Sequence, residues 1–481
     1  MREMTQDKKV VIAGAGLTGM MSALKLTESM PGSDIVMFDK SPATGGMYNS
    51  IDCGDGKIFD HGMHVIYESC NPDVDELYFK VMPPTDWHIY ENNEKDIAGV
   101  FFRGKLQTFS HYVDLRSFSE KEKERFVGGL FINLEKPLID KPSTAIDFLK
   151  NQFGHEIVEH VHKPLLKSLY SIEPETLDIF AIKATSLERV VLFHSATMLD
   201  LMKADAIRAR IAFPDQQNLP PYRRNSQRAL YPKQFGMRHF IQRLQEQLVS
   251  SGVQIFTNTS MSDIVVGTSG IEEVSLLSSD GNQQKVPVNK LIWTVGWPAL
   301  ATALKINISD LKFQKGPKIV YANLIFNKPP KMGDLYYFYC YDTGFSSFRV
   351  TNYSNYCPAA ADGGSYPMCV ELWPSRVGLA AENLSADECT RIALEELKKF
   401  GVIDKTHGVI YSENKNMASE FPLPTVENRR GLQEIRRRVK ENNISNFVVA
   451  GIMAEDGLFF IPDILNDAFE KLKTFDCGGE K

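Results

Sequence analysis

The sequence has few cysteines and no long apolar run. None of its seven cysteines forms a C-x-x-C pair, which argues against a disulfide framework and against a zinc knuckle. They are Cys53, Cys70, Cys340, Cys357, Cys369, Cys389 and Cys477. No window approaches the roughly 18 unbroken apolar residues of a transmembrane helix, and the polar stretch 1–9 does not read as a secretory signal. We therefore expect a protein of the reducing cytoplasm.

An excess of basic charge is also missing. The formal net charge is −6 at pH 7, which gives no general attraction to nucleic acid or to anionic membranes. His155, His160 and His162 are five and two residues apart, a spacing that does not match the i, i+4 histidine pairs of helical zinc sites. No nucleophile elbow for Ser-His-Asp catalysis is present. The sequence therefore predicts no nucleic-acid partner and no metal site.

A complete βαβ unit opens the chain and contains a glycine-rich turn. Lys9–Ala13 reads as a buried strand, and Gly14-Ala15-Gly16-Leu17-Thr18-Gly19 leads into an apolar helix. Ile35–Phe38 reads as a second buried strand that ends at Asp39. The turn lets the backbone approach a pyrophosphate, and the helix N-terminus favours the phosphate charge. Asp39 is placed to accept hydrogen bonds from ribose hydroxyls.

Further segments follow this turn in a recognisable order. A second glycine pair, Gly45-Gly46, stands a few residues after Asp39. The others are Phe59-Asp60-His61-Gly62-Met63-His64, Tyr231-Pro232-Lys233-Gln234-Phe235-Gly236-Met237, Thr259-Ser260-Met261 and Trp293-Thr294-Val295-Gly296. Together they resemble the FAD signature of the amine oxidase, protoporphyrinogen oxidase and phytoene desaturase superfamily. NAD-only Rossmann proteins normally lack the second glycine pair, so the resemblance implies FAD as the cofactor.

The resemblance also implies which residues contact FAD. They are Gly14, Gly16, Leu17, Thr18, Gly19, Asp39, Lys40, Gly45, Gly46, Met47, Gly62, Met63, His64, Met261, Thr294, Gly296, Gly451 and Leu465. In the superfamily a Gly-Asp pair usually follows the last apolar strand, whereas this chain has Gly451-Ile452. The helix expected from about Ile464 could still direct its N-terminal amides at the flavin.

One segment resembles a particular branch of the superfamily. Phe348-Arg349-Val350-Thr351-Asn352-Tyr353-Ser354-Asn355-Tyr356 is similar to a stretch of eukaryotic-type UDP-galactopyranose mutases. This resemblance implies Arg349 as a candidate catalytic residue, and that of the 59–64 segment implies His64. The mutases have a second arginine where Ile452 stands here, so a diphosphate held by Arg349 alone would have half of the usual charge-assisted clamp. Arg429 and Arg430 are candidate replacements.

Nucleotide-type strands at the start, middle and end of the chain predict an α/β fold. We expect a discontinuous Rossmann-like FAD-binding domain (1–81, 226–300 and 421–481) with an inserted mixed-sheet and helical substrate domain (82–225 and 301–420). The tyrosines of 336–341 are either packed within a strand or line a substrate pocket.

Two enzymatic functions are open, besides a non-enzymatic flavoprotein that only binds a partner or shuttles electrons. The first is an FAD-dependent oxidoreductase of the amine oxidase and protoporphyrinogen oxidase type, which transfers a hydride to flavin N5. Its small-molecule substrate could include a sugar or a nucleotide-sugar. The alternative is a flavin-dependent nucleotide-sugar mutase of the UDP-galactopyranose type, without net redox change. The oligomeric state is not predicted.

Overall fold

The computed structural model describes residues 8–136, 141–183, 185–224, 226–268, 270–417 and 422–476. The predicted domain limits at residues 1, 225, 421 and 481 lie outside these ranges.

The described residues form strands in two large and three small sheets. The strands are β1 (Lys9–Ala13), β2 (Ile35–Phe38), β3 (Ile51–Asp52), β4 (Ile58–Phe59), β5 (Ile66–Tyr67), β6 (Trp87–Tyr90), β7 (Ala98–Phe102), β8 (Lys105–Gln107), β9 (Val113–Asp114), β10 (Val190–Val191), β11 (Ala229–Pro232), β12 (Gln254–Phe256), β13 (Thr259–Gly267), β14 (Gly270–Ser278), β15 (Gln283–Trp293), β16 (Ile319–Phe326), β17 (Tyr337–Cys340), β18 (Ser347–Asn352), β19 (Tyr366–Leu372), β20 (Val409–Met417) and β21 (Phe447–Val449).

The α-helices pack on the two large sheets and also form a separate helical region. They are α1 (Leu17–Ser29), α2 (Pro72–Val81), α3 (Glu120–Leu134), α4 (Ala145–Ile157), α5 (Lys163–Tyr170), α6 (Phe180–Lys183), α7 (Ser195–Leu201), α8 (Asp205–Arg208), α9 (Arg238–Ser250), α10 (Trp297–Ala303), α11 (Ala386–Lys399), α12 (Val426–Lys440) and α13 (Ile461–Asp476). Within the described ranges, no helix has both the length and the apolar character needed to cross a bilayer.

The first sheet has the order β12-β2-β1-β15-β14-β13, with β21 also paired to β15. Strands β12, β2, β1, β15 and β21 run parallel to their neighbours. Strand β2 and most of β1 are buried, as expected where helices cover both faces of a parallel sheet. Apolar residues of α1, α9 and α13 share one core with this sheet, and those of α10 and α12 share another. All its strands come from the segments predicted to form the FAD-binding domain.

The second sheet has the order β20-β16-β19-β18-β17-β7-β8. It is antiparallel except where β17 runs parallel to β7. Helix α11 packs on one face together with alternate apolar residues of β16, β18 and β19. The other face, called the inner face below, carries polar and aromatic side chains. Helices α3 to α8 form a further apolar core together with sheet residues such as Val100, Phe102 and Phe348.

Two stretches have local patterns that suggest a different structure from the observed one. The strand-like stretches 253–256 and 262–266 suggest a pair, but β12 pairs with β2 and β13 pairs with β14. The stretch 187–202 suggests a helix, but β10 lies within it because Val190 and Val191 are fully buried and pair with β9. A small sheet of β5, β11 and β6 joins segments of both predicted domains, so the domain limits stay a prediction.

Candidate cofactor and substrate site

The carboxyl ends of the parallel strands bring the predicted cofactor residues to one edge of the first sheet. Gly14 follows β1 and its amide donates to the Phe38 carbonyl (2.9 Å), while the Thr294 amide donates to the Ala13 carbonyl (2.9 Å). The Thr294 hydroxyl donates to the same carbonyl (2.8 Å). Gly451 follows β21 and approaches the Thr294 carbonyl. Such an edge, where the chain leaves neighbouring strands in different directions, is the usual ligand position in an open α/β sheet.

The three glycines of the first turn meet different surroundings. Gly14 has φ +100°, and a β-carbon there would overlap the Thr294 hydroxyl. A β-carbon on Gly19 would overlap the Gly14 carbonyl, because α1 packs directly on the turn. A β-carbon on Gly16, with an ordinary φ of −70°, would meet no protein atom within 4 Å. Gly14 and Gly19 are therefore required by the protein itself, whereas Gly16 faces open space at the start of α1.

Asp39 ties the turn to the second glycine pair. Its carboxylate accepts from the amides of Ala15 (2.8 Å) and Ser41 (2.8 Å). The Gly45 amide donates to the Ala15 carbonyl (2.7 Å), and Gly45 forms a bridge with Gly16. A carboxylate has about four lone-pair positions, so two remain for the predicted ribose contact. The Thr259 amide donates to the Asp39 carbonyl (2.8 Å), which brings the 259–261 segment to the same edge.

The remaining predicted cofactor residues differ in placement. Gly46 and Lys40 are exposed, Thr18, Met47 and Met261 are half-buried, and Leu17 and Met63 are buried. Gly296 has φ +92° and no protein atom near its β position. Leu465 is fully buried in the core. Helix α13 begins at Ile461 rather than near Ile464, and the Ile464 amide already donates to Phe460. The unpaired amides expected of a helix start therefore belong to Ile461 and Asp463.

A buried carboxylate, Asp60, organises the loop that holds Gly62 and His64. It accepts from the Ser50 hydroxyl (2.6 Å), the Tyr231 hydroxyl (2.6 Å) and the Met237 amide (3.0 Å). Its own carbonyl accepts from the Tyr353 hydroxyl (2.7 Å). Asp60 is 1% exposed and has no cation among these partners. The three donors compensate for its burial, so this loop is fixed to β11, to the start of α9 and to the segment after β18.

The loop brings two histidines and a glycine to the inner face of the second sheet. Burial lowers the pKa of His61 to about 4 and that of His64 to about 3, so both are neutral at pH 7. The His61 ring lies 5.3 Å from the Tyr321 ring, and the His64 ring lies 5.4 Å from the Tyr48 ring. Gly62 has φ +75°, and a β-carbon there would overlap the Glu371 carboxylate. Gly62 must therefore be glycine for the loop to reach the sheet.

Four residues form a row across the inner face. The strand registers pair Tyr321 with Glu371, Glu371 with Arg349, and Arg349 with Tyr339. Arg349 donates from Nε to the Glu371 carboxylate. Its guanidinium also lies 5.9 Å from the centre of the Tyr337 ring. The candidate catalytic residues His64 and Arg349 thus belong to one region, because both adjoin Gly62.

The two acidic residues that follow Ile452 and the two candidate arginines all make other contacts. Glu455 pairs with Lys471 (3.0 Å), and Asp456 pairs with Arg436 (2.6 Å). Arg429 pairs with Asp178 (2.9 Å) and lines a cavity of about 230 Å³ beside the 453–458 loop, whereas Arg430 is exposed. None of these contacts involves Arg349. Ile452 itself is half-buried against the core.

Asp60, Tyr231 and Glu371 are the residues that the sequence reasoning missed. Asp60 and Tyr231 stand in segments that were recognised, but their hydrogen bond joins positions 171 residues apart. Glu371 lies in an apolar strand, and a charged residue inside such a strand was the available signal. Within the described ranges, no group of three or more His, Cys, Asp or Glu side chains is arranged to hold a metal ion.

Comparisons with known proteins agree with this geometry. A family model described as an NAD(P)-binding Rossmann-like domain matches residues 12–80. Coproporphyrinogen III oxidase of Staphylococcus aureus is 27% identical over 279 residues, which cover 54% of this chain and 55% of the relative. The chain therefore spans about half the length of the curated relative that it matches.

Solved structures cover almost the whole chain. A protein from Exiguobacterium sp. 255-15, provisionally assigned as a protoporphyrinogen oxidase, superposes with a TM-score of 0.70 at 17% identity (98% of this chain and 99% of the other). Reduced UDP-galactopyranose mutase gives 0.67 at 16% identity (91% and 87%). Putrescine oxidase bound to putrescine gives 0.58 at 12% identity (97% and 99%).

The chain shares the fold of these solved structures. This confirms the α/β class, with a Rossmann-like region and an additional sheet and helical region. The loop around Asp60 links the segment after Gly45-Gly46, through Ser50, to the inner face of the second sheet, through Gly62.

Proposed function

We propose that this protein is an FAD-dependent oxidoreductase. The observation that carries the proposal is the open space at Gly16, at the sheet edge where Asp39, Thr294 and Gly451 also lie. In a βα turn that binds no ligand, protein packing alone would not require glycine at a position where a β-carbon meets no protein atom. The turn therefore fits the pyrophosphate of a dinucleotide, and the second pair, Gly45-Gly46, favours FAD over NAD.

The chain's residues divide into three roles. The first turn, Asp39 and Gly45 would hold the nucleotide part, and the amides at the start of α13 would face an electron-rich edge of the flavin. The loop 60–64 and the inner face would orient the substrate. Bound FAD supplies the chemistry, accepting a hydride from a substrate carbon. His61 and His64 are neutral, so they add no positive charge beside the substrate.

A first experiment tests the cofactor. The purified protein should be yellow, and acid or heat should release one FAD per chain, identified by chromatography against FMN. In anaerobic mixing, a substrate should bleach the flavin absorbance, which returns when oxygen or another acceptor is added. A colourless protein that does not take up added FAD would contradict the proposal.

The second candidate is the nucleotide-sugar mutase, supported by the likeness to reduced UDP-galactopyranose mutase. It requires turnover of a UDP-sugar only after the flavin has been reduced, with no net redox change. The ion pair between Arg349 and Glu371 favours the oxidoreductase, because the arginine's charge is already neutralised. Isomerisation of a UDP-sugar by the reduced protein would decide for the mutase.

We also place the protein in the cytoplasm. The six cysteines of the described chain are all free, which suits a reducing compartment. Fractionation of cells should recover the protein with soluble markers.

A further inference from the structure

The inner face presents one positive and one negative side chain in direct contact. Arg349 and Glu371 are neighbours on adjacent antiparallel strands and point to the same face. The Arg349 side chain remains 17% exposed, whereas that of Glu371 is only 5% exposed. Both side chains are thus largely enclosed, and Arg349 is the more exposed of the two. A molecule on this face would meet a neutral pair instead of a free cation.

Glu371 has little freedom to leave this position. The Gly62 backbone lies against its carboxylate, since a β-carbon on Gly62 would overlap the Glu371 Oε1 and approach Arg349 Nη2 within 2.9 Å. The loop that includes Gly62 is fixed in turn by the three donors to Asp60. Displacing the carboxylate would leave it buried and unpaired, which is strongly unfavourable. The neutral pair of Arg349 and Glu371 is therefore held in place by the surrounding structure.

Aromatic rings surround the pair. Tyr321 and Tyr339 stand at the two ends of its row, and the Tyr337 ring lies 5.4 Å from the Tyr339 ring. The His61 ring packs edge-on against Tyr321, 5.3 Å away. Such rings offer apolar and weakly polar contacts to planar groups. None of these rings carries the positive charge that would neutralise a diphosphate.

We propose that Glu371 determines specificity by neutralising Arg349, so that the inner face receives the uncharged, ring-bearing part of a substrate and rejects a diphosphate. This inference rests on the proposed function, because it names the substrate class of the same site. It places the negative charges of a substrate, if any, away from the row of Tyr321, Glu371, Arg349 and Tyr339.

The test compares two ligands that differ only in the diphosphate. Calorimetry on the oxidised, FAD-loaded protein measures the Kd of UDP and of uridine in the parent and in Glu371→Gln. We expect the parent to bind UDP no more tightly than uridine. In Glu371→Gln the freed arginine should bind UDP at least roughly tenfold more tightly than the parent does, as a new charge-assisted contact predicts. Adding an Arg349→Gln change should abolish the gain.

Glu396→Gln is the matched control. Glu396 is another buried carboxylate of this region, 6% exposed, and it accepts from the amides of Ser346 and Ser347 (both 2.7 Å). Its loss removes a negative charge without freeing Arg349, so UDP affinity should not change. If Glu371→Gln does not retain FAD, the double variant Arg349→Gln/Glu371→Gln still tests the inference: it removes both charges, so its UDP affinity should stay within twofold of the parent.

Two results would overturn the inference. One is a parent protein that binds UDP tenfold more tightly than uridine and loses this preference in Arg349→Gln. The other is a folded Glu371→Gln protein with no gain in UDP affinity. Both are equilibrium measurements without turnover. A failure to find any reducing substrate would count against the proposed oxidoreductase but would leave these binding results valid.

Discussion

Replacing Gly16 by alanine should separate cofactor binding from folding. The new methyl group meets no protein atom within 4 Å, and φ −70° with ψ 173° is allowed for alanine. Alanine is a poorer N-cap than glycine, but it also restricts the unfolded chain by about 0.4–1 kcal/mol. These effects oppose each other. We therefore expect the free energy of unfolding of the apo-protein to change by less than about 1 kcal/mol.

The effect on FAD should be much larger. The methyl group would occupy the open space at the start of α1, where the proposed pyrophosphate would meet the amides of the first turn. Loss of one charge-assisted hydrogen bond costs about 1.5–3 kcal/mol, which corresponds to roughly a 10- to 100-fold increase in the Kd of FAD. By contrast, alanine at Gly19 would overlap the Gly14 carbonyl and should damage folding as well.

The assay is fluorescence titration of apo-protein with FAD, with urea unfolding of the apo-proteins beside it. Gly128→Ala is the matched control, because Gly128 lies in α3 and its β-carbon would also meet nothing within 4 Å. It should bind FAD like the parent and unfold at a similar or slightly higher urea concentration. If Gly16→Ala binds FAD as tightly as Gly128→Ala does, the pyrophosphate does not lie at this turn.

Three other substitutions test the surrounding structure. Burial lowers the pKa of His162 from 6.5 to about 4, so the unfolded state takes up its proton first and stability falls as pH decreases from 6.5 to 4. His162→Gln should reduce the slope of the unfolding free energy against pH, measured by urea unfolding, by up to about 1.4 kcal/mol per pH unit. An unchanged slope would show that the pKa of His162 is not lowered in the folded protein. Asp60→Asn would place an amide donor beside the Tyr231 hydroxyl, which already donates, and should lower the free energy of unfolding by about 1–3 kcal/mol; equal stability would contradict the role of Asp60. Gly62→Ala combines an unfavourable φ with overlap of Glu371, so loss of thermal stability is expected, and an unaltered melting temperature would argue against this close approach.

Local features of the sequence were enough to predict the glycine-rich turn that we propose holds the nucleotide. Gly14, Gly16, Gly19 and Asp39 lie within a single βαβ unit, so their spacing carries the geometry of the turn. Gly45 bridges Gly16 over a short sequence separation, a contact that the second glycine pair by itself did not reveal. The start of α13 was misplaced by about one turn, because its first residues, Ile461 and Pro462, follow a run of apolar residues without a clear cap.

The substrate side of the site was decided by tertiary structure. Arg349 was predicted as a site residue from a resemblance, but its role depends on the contact with Glu371. That contact exists only because of the register of β18 and β19. Likewise, the Asp60 loop is held by residues from β11 and from the start of α9. Hydrogen bonds and ion pairs between distant segments leave no periodic signal in a single sequence. The sequence alone therefore determined the glycine-rich turn proposed for the cofactor. Only the folded chain determined that the charge of Arg349 is neutralised at the proposed substrate face.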